Sequence, residues 1–169
     1  MTWTAPEPPI VDDEPLTGPD RPMLEGFLAW QRRTLLNVCA GLDAEQLARR
    51  PIPSSDLSLL GLVRHLAKVE RIWLRQRAAG LDVPKLHPRT DEDFDDVDPE
   101  RAAEEFAVYE AECRAGDEAV RDLPFEHTFD HAGQAHSLRL VYVHLVSEYA
   151  RHNGHADLLR EAIDGETGR

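Results

Sequence analysis

The sequence predicts an all-α fold, an antiparallel four-helix bundle preceded by an extended N-terminal arm. Apolar residues recur at helical spacing in four long stretches, capping residues and glycines punctuate their ends, and the connections are modest in length. Residues 1–20 carry Pro6, Pro8, Pro9, Pro15 and Pro19 and favour an extended arm, which Trp3 and Ile10 can dock on the domain or on a partner subunit. The first helix is expected from about Pro22 to Ala40, with Met23, Phe27, Trp30, Leu35 and Val38 toward the core and Gly41 closing it. Asp43 caps a short turn, Ala44 to Ala48. The second helix is expected over Leu57 to Ala79, in a segment that opens with a serine cap at Ser55 and closes at Gly80, and its core face is Leu59, Leu62, Leu66, Val69 and Trp73. The third begins at the Asp98-Pro99 cap and runs to about Arg121, with Ala102, Phe106, Tyr109 and Cys113 at helical spacing. Between Pro124 and His136, alternation of Phe125, His127 and Phe129 with polar residues, and a turn at Gly133, predict a short hairpin or an irregular crossover. The fourth helix spans Ser137 to about Asp164, ending at Gly165. These connections permit an up-down-up-down order or one long crossover.

Length and charge bound the function. A chain of 169 residues suits one domain, expected here over residues 21–169. The net charge of −13 argues against a nucleic-acid or anionic-membrane surface, because phosphate binding draws its affinity from clustered Lys and Arg. A global charge does not exclude a local basic pocket for an anionic substrate. No stretch approaches a membrane span and the first twenty residues lack a basic start with an apolar run, so the cytoplasm is the expected compartment. Cys39 and Cys113, each on an expected helix and outside any Cys-x-x-Cys pattern, read as buried reduced thiols rather than as nucleophiles. The acidic stretch Asp91 to Asp98 reads as a solvated loop, without the spacing of a calcium loop.

The chemistry lies in the fourth helix. At about 100° per residue, Leu138, Val141, Tyr142, Leu145, Tyr149, His152, Ala156, Leu159 and Ile163 gather into one apolar arc, with His152 near its middle and Glu148 on its flank. Side chains four residues apart on a helix stack on one face, so these two suit one metal ion. Burying a carboxylate and an imidazole is costly unless something compensates them, and a divalent cation does so. His65, beside the core face of the second helix, is the candidate third ligand. Two histidines and one carboxylate leave a coordination position for water or substrate. The alternative is a hydrogen-bonded cluster of the three groups with no metal. His155 and Arg151 flank the ligand helix and are candidate substrate-binding residues, able to shuttle a proton or orient an anionic group. His127, His131 and His136 lack the spacing of a known metal site and read as exposed or substrate-gating, and His144 faces further round the helix.

Three stretches, Gly26 to Arg32, Ser58 to Glu70 and Ser147 to Glu161 with its Ala-Arg-His-Asn-Gly-His-Ala-Asp run, resemble the DinB-like superfamily, in particular an actinobacterial branch related to mycothiol-dependent maleylpyruvate isomerase and bacterial thiol transferases. The resemblance covers nearly everything after the first twenty residues. It implies a four-helix bundle of DinB type in which the second helix lies against the fourth, and a metal held by His65, Glu148 and His152. Many members have histidine where this chain has Glu148, whereas the maleylpyruvate isomerase type has glutamate. The resemblance further implies a metal-dependent enzyme, a mycothiol-type S-transferase or isomerase acting on a small electrophilic molecule. Zinc is the expected ion, ahead of nickel, manganese or iron. The expected partners are the small substrate, a low-molecular-weight thiol and a second copy of the chain. The alternative function is a non-catalytic, stress-related metal- or ligand-binding protein.

Overall fold

The computed structural model describes residues 3–9 and 15–167. It is all-α apart from one short hairpin. In chain order the elements are α1 (Asp20–Cys39), α2 (Ala44–Ala48), α3 (Leu59–Glu70) continuing as a π-helical segment (Arg71–Ala78), α4 (Glu92–Asp95), a 3-10 turn (Pro99–Arg101), α5 (Ala102–Val120), β1 (Thr128–His131), β2 (Gln134–Ser137) and α6 (Leu138–Asp164). Helix α6 lies along α1 on one side and α3 on the other, and α3 lies along α5. The second long helix therefore meets the last one.

Most ends fall where the sequence places them. Ser137 caps α6 by accepting from the Leu140 amide, and Gly165 closes it with φ 83°, a left-handed conformation that favours glycine. Asp43 and Gln46 form a reciprocal capping box on α2. The cap of α3 is Ser58, which accepts from Gly61, whereas Ser55 accepts only from the Leu57 amide in the preceding turn. The predicted hairpin is present, with Phe129 opposite His136 and His131 opposite Gln134. Trp3 packs edge-on against Phe106 with centroids 5.4 Å apart, and Ala5 exchanges backbone hydrogen bonds with Gly41 and Leu42. Ile10 lies outside the described residues.

Two core expectations need correction. Trp30 is 39% exposed, with its ring edge-on to Phe27, while Leu28, Leu35 and Val38 carry the core face of α1. Trp73 is half-buried, and Leu74 and Ala78 enter the core instead. The cause is the π-helical segment, in which the Ala79 amide donates to the Leu74 carbonyl five residues back. The wider turn rotates the inward face by about one residue relative to the α-helical count. Helix α5 meets Leu74 closely: a Cβ at Gly116 would lie 2.8 Å from Leu74 Cδ1, so any larger residue there displaces the Leu74 side chain.

The centre of the fold is polar as well as apolar. Glu70, with no exposed surface, receives Nε and Nη2 of Arg32 at 2.7 and 2.8 Å and the Tyr149 hydroxyl at 2.8 Å. Arg32 also pairs with Asp117, so this network joins α1, α3, α5 and α6.

Candidate metal centre

The antiparallel packing of α3 against α6 brings His65 to Glu148 and His152. Each offers a ligand atom lying within 4.8 Å of the others, and no other such trio of His, Cys, Asp or Glu occurs among the described residues. First-row metal–ligand bonds are about 2 Å long, so small side-chain adjustments draw all three onto one cation. The rings of His65 and His152 meet edge-on with centroids 4.7 Å apart, and Phe94 stacks on His65 at 4.9 Å.

The acidic segment corrects the expectation of a solvated loop. Asp93 is 2% exposed and its Oδ2 lies 2.8 Å from His65 Nδ1, while its Oδ1 takes Lys68 Nζ at 2.9 Å. A carboxylate there accepts, so the Nδ1 of His65 carries the proton and Nε2 keeps its lone pair for the trio. That Nε2 is buried and has no hydrogen-bond partner. An orphaned imidazole acceptor aimed at a carboxylate and a second imidazole is the donor set that a divalent cation satisfies, so the residues fit a metal.

Several contacts hold Asp93 in place. Arg64, 3% exposed, donates to the backbone carbonyls of Glu92 and Asp93 and pairs with Glu105 of α5 at 2.6 Å. Gly61 admits α4 to α3, since a Cβ there would sit 3.0 Å from Ser58 Oγ and 3.3 Å from Phe94 Cδ1. Burial acts to raise the pKa of Asp93, but hydrogen bonds from His65 and Lys68 outweigh it and hold the carboxyl well below its ordinary range. The sequence signal for this role is the pair of apolar residues, Phe94 and Val97, inside an acidic run.

Electrostatics favours the ligating form of His152. Burial, reinforced by the neighbouring His65 ring, pushes its pKa down to about 4, so the imidazole is neutral at physiological pH. His155 Nδ1 lies 3.4 Å from His152 Nδ1. The Arg151 side chain is 70% exposed and approaches Glu148 at 3.9 Å. His127 is bound to the Ala78 carbonyl at 3.0 Å, which ties the segment before the hairpin to the π-helical turn. His131, His136 and His144 gather around Trp73 instead of joining the trio. Neither cysteine enters the site. Burial raises both thiol pKa values, that of Cys39 to about 12, and Cys113 is raised further by Glu70 beside it.

The mycothiol-S-transferase family profile matches residues 23–165, which spans α3, α6 and all three members of the trio. The chain belongs to that family. It is thereby a DinB-like protein, and the resemblance read from its motifs holds. Comparison with curated proteins and with solved structures returned no match. Mycothiol-S-transferase membership joins the helical core and the His-Glu-His trio to a thiol-transfer family, and no described helix is long and apolar enough to cross a membrane.

Proposed function

We propose that this protein is a metal-dependent S-transferase that joins mycothiol to a small electrophile, with His65, Glu148 and His152 holding the ion. The observation that carries the reading is the orphaned Nε2 of His65, turned toward Glu148 and His152 by Asp93. Two imidazoles and a carboxylate match the donor set of catalytic zinc, which makes zinc the preferred ion over nickel, manganese or iron. Bound there, a cation would supply Lewis acidity and favour the thiolate form of a bound thiol.

The chain's own residues do the rest. Asp93 fixes the tautomer and direction of His65, and Phe94 holds that ring in plane by stacking. His155 takes the thiol proton, the sulfur pair forms the new S–C bond, and the leaving group departs with its bonding electrons. Arg151 tunes Glu148 from the solvent side. The thiol comes from outside the protein, because Cys39 and Cys113 both have raised pKa values. In this reading α1, α3 with its π-helical extension, α5 and α6 are the four rods of one DinB-type bundle over residues 21–169, behind an N-terminal arm over residues 1–20. The protein works in the cytoplasm as a homodimer.

The test combines metal analysis of the purified protein with mycothiol consumption in the presence of monochlorobimane, over a series of metal-loaded samples. Saturable, metal-dependent turnover supports the proposal. Stoichiometric metal without turnover of any electrophile would make the protein a non-catalytic metal binder. Absence of metal, with no thermal stabilisation on adding zinc, nickel, manganese or iron, would reduce the trio to a hydrogen-bonded cluster.

A further inference from the structure

The face along which α3 and its π-helical extension meet α6 carries a second constellation in line with the metal centre. His65 faces His152 across it at 4.7 Å, and Trp73 faces His144 at 4.3 Å, eight residues further along one helix and eight residues back along the other. That is about 12 Å of helix. Glu148 lies between the two levels. The π-helical turn matters here, because it turns Trp73 to the edge of the core, where it is half-buried.

Trp73 is the centre of a cationic and aromatic group. The guanidinium of Arg77 lies 4.1 Å from its ring centroid, and His131 and His136 of the hairpin stand 5.8 and 6.4 Å away. On the same stretch of helix, Arg64, Arg71 and Arg75 are each committed to a buried carboxylate, Glu105 or Glu112. Among the described residues Arg77 makes no ion pair, in a chain with 32 acidic residues. A guanidinium laid on an indole face keeps its edge N–H groups free, and that fork fits a carboxylate. Three half-buried imidazoles around it add hydrogen-bond capacity and no negative charge.

We infer that Arg77, on its Trp73 platform with His131, His136 and His144, is an anion subsite that receives a carboxylate carried by the electrophilic substrate, about 12 Å along the helices from the metal centre. The inference rests on the proposed S-transferase reading for its reaction, and on the patch alone for its anion. One guanidinium matches a monoanion better than a phosphate dianion, which draws on several cations. Mycothiol has its cysteine carboxyl tied up in an amide, so the electrophile is the partner that brings the charge. The substrate class is therefore an elongated acid with its reactive carbon at one end and its carboxylate at the other.

The experiment uses metal-loaded protein, mycothiol and a matched pair of electrophiles, 4′-(chloromethyl)biphenyl-4-carboxylate and its methyl ester. In both, the thiol sulfur displaces chloride and the thiol proton passes by way of His155 to buffer. The acid is expected to exceed the ester in kcat/KM by about tenfold, and Arg77→Gln is expected to bring that ratio to about one. A second measurement needs no turnover: unreactive biphenyl-4-carboxylate should shift the ring NMR signals of His131, His136 and His144 saturably in the native protein and in His152→Ala, and not in Arg77→Gln. Metal-dependent turnover with equal rates for acid and ester, and no ring shifts, overturns the subsite and leaves the S-transferase reading intact. Absence of turnover with Arg77-dependent ring shifts supports the subsite and overturns the S-transferase reading instead.

Discussion

His65 Nδ1 lies 2.8 Å from Asp93 Oδ2, joining a helix residue to a carboxylate 28 positions later in the chain. This bond decides which nitrogen of His65 faces Glu148 and His152. Asp93→Asn, whose amide accepts weakly or donates and so favours the wrong tautomer, is expected to weaken zinc binding about 10- to 100-fold. Competition with a chromogenic chelator measures this; an unchanged affinity would remove Asp93 from the support of the site.

The thiols give an independent check on which sulfur reacts. With the Cys39 pKa pushed up to about 12 by burial, only roughly one molecule in 10,000 carries its thiolate at pH 8, and Cys113 is held higher still. Ellman's reagent is expected to titrate neither cysteine in the native protein and both in guanidinium. Rapid native labelling of either would reopen the case for a protein-borne nucleophile.

The Arg32–Glu70 pair is a structural hinge of the fold's stability. Because Glu70 is fully buried, Arg32→Leu leaves an uncompensated charge and is expected to cost about 3–5 kcal/mol in urea denaturation. Replacing both residues with leucine should recover much of that loss. A double variant as unstable as the single one would show that Glu70 is not the source of the cost.

Glu112 supplies an acid-linked contribution. Burial tends to raise its pKa, but hydrogen bonds from Arg71 and Arg75 prevail and the carboxyl ends below its ordinary value of 4.5. The unfolded chain then binds the proton more readily, so this stabilisation is complete above the ordinary value and disappears as pH falls through the depressed one. Denaturation midpoints between pH 6 and pH 3 should fall less steeply in Glu112→Gln than in the wild type, from a lower starting stability at pH 6.

Periodicity along one helix made half the site legible. Glu148 and His152 share a face because four residues make just over one turn, and that relation holds whatever α6 packs against. His65 was visible as a histidine beside an apolar face, and its meeting with the pair needed α3 and α6 to run side by side. Helix boundaries followed from caps such as Asp43 and Ser137, whose hydrogen bonds reach only three residues.

By itself the sequence determined the helical class, most of the helix ends and the i,i+4 carboxylate–imidazole pair, all of which depend on contacts within a turn or two of chain. Only the tertiary structure decided that Asp93 is a buried partner of His65 and that Trp73 turns to the edge of the core. The first depends on Arg64 drawing the backbone of α4 onto α3, and the second on a π-helical turn whose displaced register Leu74 completes against Gly116. Both depend on groups brought together from distant parts of the chain, and local spacing carries no record of such meetings.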